Sequence, residues 1–127
     1  MLKFDTVQIL ALVPWSAEGQ GTSVGGFDVV AIRPSYLMWL GNLTTSGDNS
    51  GSCENSVAQA QARFVEVCYG YEGKVGVVPG GSGFPDLQVH FTGNEPQGDD
   101  GMHVRPIADQ SFQYSQAQKT YKRNGGH

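Results

Sequence analysis

Glycine and proline constrain this chain more than any other feature. Eighteen Gly and six Pro are spread over 127 residues, so few stretches run long enough for an extended helix. The glycines lack the every-third-residue period of collagen, and no heptad pattern of a coiled coil is present. No apolar run approaches the roughly 20 residues needed to span a bilayer as a helix. What remains is a turn-rich chain of short β segments, of a length that suits a single domain over 1–127.

Read along the chain, Lys3–Val13 is apolar on both faces and ends at Pro14, as a buried strand or one covered in an assembly would. Ser16–Gly26 is Gly/Ser/Thr-rich and reads as a loop, and Phe27–Arg33 as a strand stopped by Pro34. Tyr36–Leu43 is an apolar block with the character of a core strand, followed by a surface loop over Thr44–Ser52. Residues 54–62 fit a short helix or a strand, whereas the β-branched and aromatic content from Arg63 onward favours strand. Glu72-Gly73 resembles a hairpin turn into Lys74–Val78. Asp86–Thr92 alternates Leu87, Val89 and Phe91 with polar residues, and Met102–Ile107 and Ser111–Ser115 follow in the same style. The expected fold is all-β: an antiparallel β-sandwich, jelly-roll-like, or a small barrel of about seven or eight strands with at most one short helix.

The formal charge of −4 argues against a general nucleic-acid binder. Lys119, Lys122 and Arg123 nevertheless gather three of the eight basic residues near the C-terminus, in a polar tail from about Gln116. Such an arm suits an acidic neighbour or, as the exception, packaged nucleic acid. No secretory signal is recognised, because Asp5 and Gln8 interrupt the apolar start. The reading is of a protein made in the cytoplasm, with no membrane partner, that belongs to a virion or another assembly.

Cys53 and Cys68 are too few for a four-thiolate zinc cage. As a continuous helix the intervening residues would hold the Cα atoms about 22 Å apart, and as a strand about 50 Å. A disulfide tolerates only about 7 Å. The expectation is therefore reduced thiols or an intermolecular bond, unless the segment folds back.

Three constellations bear on function. If Asp86–Thr92 pairs with Met102–Ile107 so that Thr92 faces Gly101, then His90 faces His103 and Gln88 faces Arg105. Two opposed imidazoles with Asp99 or Asp100 would suit a divalent metal and a small metal-dependent enzyme. Trp15 and Trp39 are candidate platforms for a sugar ring, with Asp48 and Asn49 fixing its hydroxyls. The oxygen-rich loop holding Asp48-Asn49-Ser50-Gly51 resembles the Asp-Asn-x-Gly calcium loops of small bacterial galactose-binding lectins. That resemblance is confined to the loop; the rest of the chain follows no lectin pattern. Within the loop it implies a calcium-assisted glycan site.

Nucleophile-elbow, phosphate-loop and His-Glu-x-x-His signatures are all missing from the sequence. The reading leans toward a non-catalytic structural subunit, without a cofactor, that assembles with copies of itself in a coat, decoration or surface-filament role. Its assembly residues would be Leu2, Val7 and Ile9 at the N-terminal edge and Lys119, Lys122 and Arg123 at the C-terminal arm.

Overall fold

A computed structural model describes residues 9–78 and 83–124. Leu2 and Val7 lie outside the described residues. Ten strands and one helix follow one another as β1 (Ile9–Gly19), β2 (Thr22–Ile32), β3 (Leu37–Asp48), β4 (Cys53–Glu54), α1 (Val57–Arg63), β5 (Glu66–Val67), β6 (Gly70–Val78), β7 (Asp86–Pro96), β8 (Val104–Pro106), β9 (Gln110–Ser115) and β10 (Thr120–Arg123). The fold is all-β and antiparallel in its main sheet, with a single short helix among the described residues. That sheet runs β1-β2-β3-β6-β7-β9-β10 with β8 on β7, and β4 and β5 form a parallel pair of their own. No helix of the described residues is long and apolar enough to cross a membrane.

β1, β2 and β3 form a long ribbon. Strand β1 passes through Pro14 and continues to Gly19, and β2 begins at Thr22. The expected loop over Ser16–Gly26 is therefore a hairpin turning at Gln20-Gly21, both with positive φ (54° and 84°), the geometry of a tight two-residue turn. Proline is tolerated because β1 is an edge strand, where a missing N–H need not break a central ladder. Gly21 is required twice over: its φ is positive, and a Cβ there would come within 2.5 Å of the Ser52 Cβ.

Strand β3 serves two neighbours. β2 pairs along its whole length from Leu37 to Asp48, while on the other side only Ser46, Gly47 and Asp48 pair with β6. The expected Thr44–Ser52 loop thus begins only after Asp48. Two register shifts between β2 and β3 bend the ribbon. Across the molecule the sheet curls until β10 returns to β3, without closing a barrel: Thr120 Oγ1 donates to the Leu40 carbonyl at 2.6 Å. Val29, Ala31, Leu40, Leu43, Leu87 and Tyr121 fill the space enclosed. Tyr114 meets Phe84 and Tyr121 edge-on, with centroids 4.8 and 5.7 Å apart. The Tyr121 hydroxyl donates to the Pro85 carbonyl at 2.7 Å, and burial pushes its pKa up to about 12. The expected polar tail is thus in part a strand, anchored by Tyr121.

Glu72 and Gly73 do not turn. They lie inside β6, opposite Thr92 and Phe91, and Gly73 is needed because a Cβ would strike the Phe91 ring. The expected hairpin signal was a packing requirement.

The connection from β3 to β6 holds the largest correction. Cys53 and Cys68 form a disulfide, with Cα atoms 4.9 Å apart. The chain folds back because α1 lasts only seven residues. Ser56 Oγ accepts from the Gln59 N–H at 3.1 Å to start the helix. Phe64, at φ 57° and ψ 41°, stops it. The N–H of Phe64 reaches the Gln61 carbonyl and that of Val65 the Ala60 carbonyl, the pair of bonds that closes a left-handed helix terminus. β5 then returns parallel to β4, bringing Cys68 beside Cys53.

Candidate functional site

Side chains opposed across paired strands share a face, so the register of the ribbon defines its outer surface. Val29 and Ala31 of β2 point into the core and are fully buried, which turns Asp28, Val30 and Ile32 outward. Ile32 faces Ile9 on one side and Leu37 on the other; Val30 faces Ala11 and Trp39; Asp28 faces Val13 and Asn42. Leu37 is 69% exposed, Trp39 60%, Ile9 54% and Val13 46%. The three strands hold only Glu18, Asp28 and Asp48 as charged residues, and no Lys or Arg guards the edge strand β1.

One charged group stands in this apolar field. Asp28 Oδ1 accepts from Trp39 Nε1 at 3.0 Å and from Asn42 Nδ2 at 3.1 Å. Those bonds, the indole's foremost, hold the carboxyl below its ordinary range. The indole is fixed in place with its ring open to solvent. Tyr36–Leu43 is thus a core strand on one face only: Leu40 and Leu43 are buried, while Leu37 and Trp39 are displayed.

The other candidate residues separate. Trp15, opposite Gly26, is half-buried, and its Nε1 is shut from solvent without a hydrogen-bond partner. Asn49 is fully buried; its amide donates to the Val67 carbonyl at 3.0 Å and its oxygen accepts from the Tyr69 N–H at 2.8 Å. It replaces a strand's backbone pairing and is not free for a ligand. Asp48 Oδ1 accepts from the N–H and hydroxyl of Ser50, bonds that lower its pKa and brace the turn.

The histidines do not face one another. β7 runs on to Pro96, so β8 meets it farther out, with Glu95 opposite Arg105 and their side chains paired at 2.9 Å. The expected Gln88–Arg105 and His90–His103 oppositions are both absent. His90 lies opposite Lys74, with Nδ1 2.9 Å from Asp109 Oδ2. His103 Nδ1 is 2.8 Å from Asp100 Oδ2. The His90 bond lowers the Asp109 pKa, and the Met102 N–H, ahead of His103, lowers that of Asp100. Asp99 lines a shallow cleft with Glu66 and His103. Among the described residues no group of three or more His, Cys, Asp or Glu is arranged to hold a metal. Lys119, Lys122 and Arg123 are exposed on the β9–β10 hairpin.

Sequence reasoning missed Phe64, which is 96% exposed at the tip of α1. The Ser56-Val-Ala-Gln59 pattern, a helix-start signal, was available to place the helix. Nothing comparable marked its end, because a phenylalanine stands where glycine is usual. No family model matches this chain, and neither a curated protein nor a solved structure matches it.

Proposed function

We propose that this protein is a non-catalytic structural subunit that assembles with copies of itself through the outer face of the β1–β2–β3 ribbon. The observation that carries this reading is the continuous apolar surface of Ile9, Val13, Val30, Ile32, Leu37 and Trp39 on the outer face of the ribbon. Apolar surface of this kind gains roughly 25 cal/mol per Å² on burial, and contiguous patches mark interaction sites. The scarcity of charge across the ribbon supports the same reading. The disulfide favours an oxidising setting, as for a coat, decoration or surface-filament protein. The exposed cations Lys119, Lys122 and Arg123 would meet acidic neighbours at the rim.

Light scattering on the eluting protein tests this. A discrete species well above 13.6 kDa is expected, and Leu37→Glu should shift it to monomer at micromolar concentration. A wild-type monomer would overturn the proposal.

A second reading is favoured by Trp39 alone: an open indole flanked by Asp28 and Asn42 is the kind of platform on which a sugar ring stacks. Glycan-array binding lost in Trp39→Ala, with assembly unchanged in that variant, would favour it over self-association.

A further inference from the structure

Phe64 combines two features that the fold of one copy does not use. Its backbone sits in the left-handed region, where glycine is the ordinary residue, and its ring is 96% exposed. A phenylalanine there strains the backbone and gains no burial. The surroundings hold it still, however: the Cys53–Cys68 disulfide ties the excursion, the Arg63–Glu54 ion pair lies beside it, and both ends of α1 are capped. A displayed aromatic on a braced backbone has the character of an interface anchor.

Its place in the molecule indicates what it meets. The excursion holding α1 leaves β3 at Asp48 and rejoins the sheet at Gly70, whereas Leu37, Ile32 and Ile9 lie at the other end of the ribbon. Trp39 and Asp48 are nine strand residues apart, about 30 Å at 3.3 Å per residue. Phe64 and the apolar patch therefore occupy opposite ends of one copy. Their charges are complementary. Arg63, paired with Glu54 yet still 65% exposed, precedes Phe64, and Asp28 adjoins Trp39.

We infer, building on the self-association proposed above, that copies join head to tail, the Phe64 tip of one seating on the Trp39–Leu37 patch of the next with Arg63 facing Asp28. Such a contact is heterologous, so it propagates into a ring or a filament rather than ending at a dimer.

Two variants test this, singly and mixed. Phe64→Gly removes the ring and puts the favoured residue in the left-handed position, so its melting temperature should not fall. Trp39→Glu spoils the patch, and Leu37→Glu replaces it if circular dichroism shows misfolding. Each variant alone should run as a monomer by light scattering. An equimolar mixture should give a one-to-one dimer and nothing larger, since the Phe64 of one variant finds the intact patch of the other. Wild-type assembly by Phe64→Gly, or a mixture that stays monomeric, would overturn the head-to-tail contact while leaving self-association standing. A monomeric wild type would remove both.

Discussion

The β1–β2–β3 ribbon and the β4–α1–β5 excursion are stabilised by opposite means. The ribbon has long ladders and a buried face on which Val29, Ala31, Leu40 and Leu43 pack. The excursion buries little: Ala60 is the one fully buried residue of α1, and the two strands flanking it are two residues each. It is held by a covalent bond, capped helix ends and the Asn49 side chain reaching Val67 and Tyr69. A segment too small to fill a core needs such staples, the same logic that governs small disulfide-bonded domains. The ribbon has hydrophobic side chains to spare, and the surplus is what it displays.

Breaking each region separately should expose that difference. Leu40→Ala empties a fully buried site where β2, β3 and β10 meet. It should cost about 2–5 kcal/mol in chemical denaturation and lower the whole cooperative transition. Reducing the disulfide, or replacing both cysteines by Ser, should cost about 3 kcal/mol for a loop of this length. Hydrogen exchange should then show faster opening over 53–68, with the Val29 and Leu87 amides still protected until global unfolding. Equal loss of protection in both regions would mean the excursion and sheet are a single cooperative unit. The smallest effect belongs to Asp28. Its folded pKa lies below the ordinary 3.8, so its bonds to Trp39 and Asn42 are fully in place above that value. They weaken as pH falls through the lower, folded value. The Trp39 indole N–H resonance should therefore move only below pH 3.8, and Asp28→Asn should abolish that movement.

Much of this architecture is legible in the chain where one physical requirement acts alone. Leu87, Val89 and Phe91 alternate because one face of β7 is buried, and all three are in the core. The two-sided apolar character of the N-terminal run, still visible in Leu10 and Leu12 inward and Ile9 and Val13 outward, states both a core and an exposed surface. Legibility fails where a residue answers to a distant partner. Gly73 accommodates Phe91 and so imitates a turn. The register of β7 and β8 is set by how far β7 continues past Gly93, which local alternation does not encode. The disulfide depends on a reversal at Phe64, a residue type that rarely ends a helix this way. Asp48 and Asn49 have the composition of a ligand loop, yet both side chains brace the backbone.

The stitch from Thr120 to the Leu40 carbonyl joins residues 80 apart in sequence. Closing so wide a loop is slow, because its entropy must be lost before the contact forms. During synthesis β1, β2 and β3 emerge well before β10 and can pair at once, while the strand that covers Leu40 is still to come. For that interval the ribbon is apolar on both sides. Its inner face then competes with its outer face for neighbouring chains, so the timing of translation bears on whether copies meet in the intended arrangement or aggregate beforehand.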